Sequence, residues 1–121
     1  MKVSYVEFLG QKHPLCFSLK AYEEVLETFG SMDGLHAMLT SDNLTDIIQG
    51  LDKLLPILMR AGRLYASAVG AQLPPELNAR PSDVLDARDP AALMAVITSI
   101  KNDTARTVET AQKNVEATPG A

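Results

Sequence analysis

Tryptophan is absent from this chain, cysteine occurs once, and the aromatic side chains are limited to three phenylalanines and three tyrosines. So few aromatic rings leave the core to aliphatic side chains, because rings otherwise dominate core burial. The lone cysteine, Cys16, excludes an intramolecular disulfide. It lies in an apolar stretch, and we interpret it as a small packed side chain rather than as a nucleophile.

Long hydrophobic runs are missing as well. The longest candidate, Leu54 to Val69, is interrupted by Pro56, Arg60 and Gly62, whereas a membrane-spanning helix needs about 20 consecutive apolar residues. The start of the chain also lacks the apolar core of a signal peptide. We therefore expect a soluble cytoplasmic protein without a membrane partner.

The charge of the chain is mildly negative and spread along it. The net charge is −4 over 121 residues, which disfavours binding to the phosphates of nucleic acid. The length suits a single domain with a real core. We place that domain at residues 1–115 and a disordered, flexible tail at residues 116–121.

The chain opens with the pattern of a β-hairpin. Residues 2–9 are rich in β-branched and aromatic side chains, residues 10–13 form a polar break with a glycine, and residues 15–17 are apolar again. Pro14 belongs at the start or edge of the second strand, because it cannot donate a ladder hydrogen bond. Leu15 and Phe17 are expected on one face of this strand and Cys16 on the other.

Two short helices are predicted next, separated by Gly30. Ser18 is the expected N-cap of the first and Ser31 of the second. The first helix, residues 19–29, has an apolar stripe formed by Leu19, Tyr22, Val25, Leu26 and Phe29. We expect Phe17 of the hairpin to share a core with Leu26 and Phe29.

A long third helix begins at Leu44 and should end near Gly70, with Pro56 expected to kink or split it near Leu54. A helical turn is predicted at residues 81–85, and Asp89 with Pro90 opens a last helix. The predicted fold is therefore α+β, mainly α: an N-terminal hairpin packed on a small bundle of four to five helices.

No group of residues matches the pattern of a catalytic or metal site. His13, expected in the hairpin loop, and His36 have no cysteine or carboxylate at a metal-ligand spacing. The glycines occur singly, so no phosphate-binding loop is indicated. We expect a protein that is not an enzyme and uses no cofactor or metal.

The charged residues allow two interpretations. Glu23 and Glu27 share a helix face and indicate an acidic surface patch rather than an acid–base pair. Arg60 and Arg63 either meet a partner's carboxylate or form a solvated rim that pairs with Asp52 or the C-terminal acids.

The order of these segments resembles the tail assembly chaperones of siphophages and prophages of Firmicutes. The resemblance is carried by the hairpin followed by residues 14–21 and 29–31, by residues 58–65, and by the proline-rich break before a helix opened by Asp89 and Pro90. The polar residues 113–118 are similar too. It covers nearly the whole chain through short patterns, none of which is a chemical signature.

The resemblance implies a small, mostly helical, non-enzymatic protein made in the host bacterial cytoplasm. It would bind the tape-measure protein, keep its apolar helices soluble and help to recruit tail-tube subunits. An alternative is a phage-encoded, non-enzymatic inhibitor or regulator that binds a host protein through an acidic epitope around Glu23, Glu24 and Glu27.

The third and last helices have more apolar residues than one hairpin can cover. We therefore predict that part of this set binds a partner, as a groove or as a homo-oligomer interface that a client can replace; the competing reading is that the whole set forms the monomer core. The residues are Leu54, Leu55, Leu58, Met59, Leu93, Val96, Ile97 and Ile100.

Overall fold

The computed structural model describes residues 3–101 and 104. Its elements are β1 (Val3–Phe8), β2 (Gln11–Cys16), α1 (Leu19–Phe29), α2 (Met32–Leu39), α3 (Leu44–Ala68), α4 (Pro81–Val84) and a last helix, α5, over residues 90–101. A hairpin followed by five helices within this range confirms the predicted α+β, mainly α class. The tail predicted at residues 116–121 lies outside the described residues.

The hairpin turn is tighter than predicted. Phe8 pairs with Gln11, so the turn contains only Leu9 and Gly10, whose φ angles are 53° and 77°. Two positive φ angles define a type I′ turn, whose twist matches that of a hairpin. The prediction of a loop at residues 10–13 is therefore wrong, and His13 lies inside β2 rather than in a loop.

Strand β2 is covered on both faces. Leu15 and Cys16 point to opposite faces of the hairpin, and both are fully buried. Helix α3 packs across β2, so the hairpin is an integral part of the core; an isolated hairpin is marginal in water. Pro14 is accommodated because each strand of a two-stranded sheet has one unpaired edge.

Helices α1 and α2 begin where the caps were predicted. The backbone N–H of Ala21 donates to Ser18 Oγ at 3.1 Å, and that of Gly34 donates to Ser31 Oγ at 2.9 Å. Each bond satisfies a donor that has no partner within its helix. These caps therefore follow from local sequence alone.

The predicted stripe of α1 is wrong at its start. Ala21 and Val25 are the buried residues of this helix, whereas Leu19 is 90% exposed. Leu19 precedes Ala21 by two residues, so it points about 200° away around the helix. At the other end Phe29 packs against the core that contains Phe17.

Helix α3 is a single helix despite Pro56. It runs unbroken from Leu44 to Ala68; of the predicted kink or split near Leu54, the split is therefore wrong and the kink stays a prediction. Pro56 is exposed, and the leucines before and after it are buried in the core. Their packing outweighs the roughly 3 kcal/mol that an interior proline costs a helix. The helix ends where predicted, next to Gly70.

Helix α5 closes the core. The backbone N–H of Ala92 donates to Asp89 Oδ1 at 3.2 Å, which confirms Asp89 as the N-cap. Val96, Ile97 and Ile100 are buried in the same cluster as the α3 leucines. In the part of the chain that the structure describes, no helix has both the length and the apolar character needed to cross a membrane.

Candidate partner-binding groove

Helix α3 has more apolar surface than the core covers. Beside its buried stripe lies a second one, formed by Ile57, Ala61 and Leu64 at spacings of four and three residues, which places them on one flank of the helix. Ile57 and Ala61 are half-buried, and Leu64 is 68% exposed. Leu64 therefore extends the apolar stripe of this flank to the solvent-exposed surface.

Helix α1 forms the opposite wall of this stripe. The resulting depression, here called the α1–α3 groove, has a volume of about 260 Å³ and is lined by Ser18, Lys20, Ala21, Glu24, Ile57, Arg60, Ala61, Leu64 and Tyr65. Pockets for small molecules usually hold about 300–1,000 Å³. The groove is therefore better matched to one or two apolar side chains of a partner protein.

Charged side chains form the rim of the groove. Arg60 donates to the carboxylate of Glu24, which joins α3 to α1, and Lys20 donates to Glu23 at 2.8 Å. The hydrogen bond from Lys20 lowers the pKa of Glu23, and the same bond raises the pKa of Lys20. Because ion pairs between exposed side chains add little to stability, the rim is better suited to orienting a partner than to holding the fold.

The arginine pairings differ from those predicted. Arg60 bonds to Glu24 rather than to Asp52, and Arg63 Nη1 donates to the carbonyl of Pro74 at 2.8 Å. Asp52 instead accepts from the backbone N–H and the hydroxyl of Ser82, at 2.9 and 2.6 Å, which fastens α4 to α3. These partners are distant in sequence, so spacing alone could not identify them.

The eight residues predicted to bind a partner lie mostly in the core. Seven are buried, and Leu93 is half-buried against the same cluster; the buried seven are Leu54, Leu55, Leu58, Met59, Val96, Ile97 and Ile100. Their burial agrees with the competing interpretation, in which the whole set forms the core of the monomer. Displacement of part of this interface by a partner stays a prediction.

The groove residues Ile57, Ala61 and Leu64 were not among the candidates. Their spacing is visible in the sequence, but it runs parallel to a stronger leucine stripe on the same helix. Which of the two stripes faces the core depends on where β2 and α5 pack. A search for a second apolar stripe on each long helix would have found them.

The residues considered for chemistry are distributed over different elements. His13 and Cys16 are buried in β2, whereas His36 is exposed on α2. Among residues 3–101 and 104, no three side chains of histidine, cysteine, aspartate or glutamate come together in a way that could hold a metal ion.

His13 has an unusual environment for a histidine. It is only 3% exposed, its ring lies 6.1 Å from that of Phe8, and its Nδ1 has no hydrogen-bond partner among the described residues. Burial, and secondarily the positive charge of Arg63, lower the pKa of His13 below its ordinary value of 6.5. The neutral form is therefore the one that this site favours.

The free energy of unfolding should fall as the pH drops below 6.5, and less so in His13→Phe. In the unfolded chain His13 regains a pKa near 6.5, so the unfolded state binds a proton first and is favoured by acid. The effect is absent well above that pH, grows through the interval down to the lowered folded-state pKa, and is then complete.

Urea titrations at neutral and mildly acidic pH measure this dependence. His36→Gln, which replaces an exposed histidine, is the matched control variant. Identical pH dependence in His13→Phe and the wild type would contradict the assignment.

No protein-family model, curated protein or solved structure matches this chain. The choice of a function therefore depends on the chain's own residues.

Proposed function

We propose that this protein is a phage tail assembly chaperone that binds helical segments of the tape-measure protein and helps to recruit tail-tube subunits during tail morphogenesis in the host cytoplasm. The observation that carries the proposal is the α1–α3 groove, where Ile57, Ala61 and the 68% exposed Leu64 leave an apolar stripe open. The resemblance of the chain to that family supports the same function.

The groove is complementary to an amphipathic helix. Such helices insert apolar side chains spaced by three and four residues into a groove of this kind, and α3 offers its own residues at the same spacing. Glu24 and Arg60 at the rim provide both charges next to the apolar floor. The apolar side chains of a client helix would therefore pack on Ile57, Ala61 and Leu64. Its charged residues would pair with Glu24 or Arg60 at the rim.

The expected affinity is low, which suits release of the client. Burial contributes about 25 cal/mol per Å² of apolar surface, so a few hundred Å² gives several kcal/mol. This gain is opposed by the translational and rotational freedom that both partners lose on association, which costs about 4–15 kcal/mol. The balance favours weak, reversible contacts that tube subunits can displace as the tail grows.

Leu64→Ser should reduce copurification of tape-measure fragments by about fivefold, the effect of losing roughly 1 kcal/mol at an interface. The experiment coexpresses the tagged full chain with overlapping fragments of a candidate tape-measure protein and measures the fragment recovered. Leu44→Ser is the matched control, because Leu44 is a 54% exposed leucine of the same helix outside the groove. Size-exclusion chromatography of each variant shows whether a second copy competes for the groove.

Equal recovery of fragments by Leu64→Ser and the wild type would overturn the groove as the client site. Failure of the wild type to retain any fragment would overturn the chaperone proposal. Capture of one folded host protein that depends on Glu23, Glu24 and Glu27 would favour the alternative, a phage-encoded inhibitor or regulator.

A further inference from the structure

A second cleft lies between the turn of the hairpin and the connector at residues 71–80, which joins α3 to α4. This hairpin-tip cleft has a volume of about 380 Å³. Its walls include Phe8, Leu9 and His13 from the hairpin and Pro75 and Leu77 from the connector. It shares no lining residue with the α1–α3 groove.

Leu9 is placed unfavourably in two respects. Its φ of 53° is a left-handed conformation that leucine rarely adopts and that asparagine or glycine adopts readily. Its side chain is also 74% exposed. Nothing within the hairpin requires leucine here, so a strained and exposed apolar residue on the wall of a cleft points to a contact made by that side chain.

His13 is the second unfavourable group in the same wall. A buried polar atom without a hydrogen bond destabilises a fold, and Nδ1 of His13 is such an atom among the described residues. The strain at Leu9 and the unpartnered His13 are independent observations at one cleft.

The connector side of the cleft indicates the kind of molecule. Residues 76–79 form no backbone hydrogen bond with residues 3–101 or 104, and open backbone groups of this type are matched by an extended peptide. Glu76 lines the cleft and has no ion pair with the same described residues. Its negative charge favours a basic residue in the occupant.

We propose that the hairpin-tip cleft binds an extended peptide segment of a partner protein, which inserts one apolar side chain beside Leu9 and places a basic residue near Glu76. The backbone of this segment runs along residues 76–79. This site is independent of the proposed client groove. It gives the chain a second surface, with which it can hold a second protein while the first is bound.

The test starts from selection of a displayed library of random short peptides on the immobilised full chain. Recovered peptides are synthesised with a fluorescent label, and their affinity is measured by anisotropy. Leu9→Asn is the decisive variant, because Asn-Gly suits a type I′ turn. We expect it to melt at a higher temperature than the wild type and yet to bind the peptides about tenfold more weakly, the change that corresponds to the lost anchor contact.

Two further variants make the result specific. Leu44→Asn removes a different exposed leucine and should bind like the wild type, and Glu76→Gln should weaken peptides with a basic residue more than analogues in which that residue is alanine. Peptides that bind Leu9→Asn and the wild type equally would overturn the proposal. So would a selection that enriches no peptide, or a Glu76→Gln variant that treats both kinds of peptide alike.

Discussion

Gly62→Ala should lower the free energy of unfolding by about 2–3 kcal/mol, near the upper end of typical overpacking effects. A Cβ at this position would lie 2.1 Å from the carbonyl oxygen and 2.5 Å from the carbonyl carbon of Pro14. Both atoms belong to the backbone of β2, so no side-chain rotation can relieve the clash. Alanine gains up to about 1 kcal/mol in helix propensity over glycine, which the clash exceeds.

Gly50→Ala is the matched control for this substitution. It lies in the same helix and is also buried, but a Cβ there would meet Met38, with the nearest atom, Cγ, at 2.3 Å. Methionine is flexible and can move aside, so we expect a smaller loss than at Gly62. Urea titration measures both variants. A Gly62→Ala protein that is as stable as the wild type would contradict the close packing of β2 on α3.

Leu58→Ala should destabilise the protein by about 3–5 kcal/mol, the range for fully buried leucines that leave a cavity. Leu58 is 0% exposed and belongs to the central cluster. Leu64→Ala makes the same substitution six residues along α3, where the side chain is 68% exposed. Its effect on stability should remain below about 0.5–1 kcal/mol.

This pair of leucines also distinguishes the two roles considered for α3. Denaturant titration gives the stability of each variant, and copurification of tape-measure fragments gives client binding. We expect Leu58→Ala to lose stability and Leu64→Ala to lose binding. A stable Leu58→Ala protein that no longer retains fragments would instead support the prediction that the interior leucines face a client.

The start and end signals of the helices could be predicted because they depend on neighbouring residues. Ser18 and Asp89 cap their helices through a backbone N–H three residues ahead, and the end of α3 beside Gly70 is equally local. The composition likewise required only the chain itself. The overall class, a hairpin followed by about five helices, follows from these local signals together with hydrophobic periodicity.

The position of the proposed client groove depended on tertiary packing. Periodicity indicates which residues of α3 are apolar, but two apolar stripes compete on that helix, and the placement of β2 and α5 buries one and leaves Ile57, Ala61 and Leu64 beside the groove. The Glu24–Arg60 pair at its rim joins residues 36 positions apart, so local spacing does not reveal it.

The sequence by itself thus determined the order of the elements, the caps at Ser18, Ser31 and Asp89 and the absence of an intramolecular disulfide, because each depends on residues close together or on composition. Tertiary structure alone decided that α3 remains unbroken at Pro56 and that His13 is buried. It also decided that Gly62 touches the backbone of Pro14. The physical reason is that burial of several leucines contributes more free energy than the roughly 3 kcal/mol by which a local preference such as that of proline opposes it.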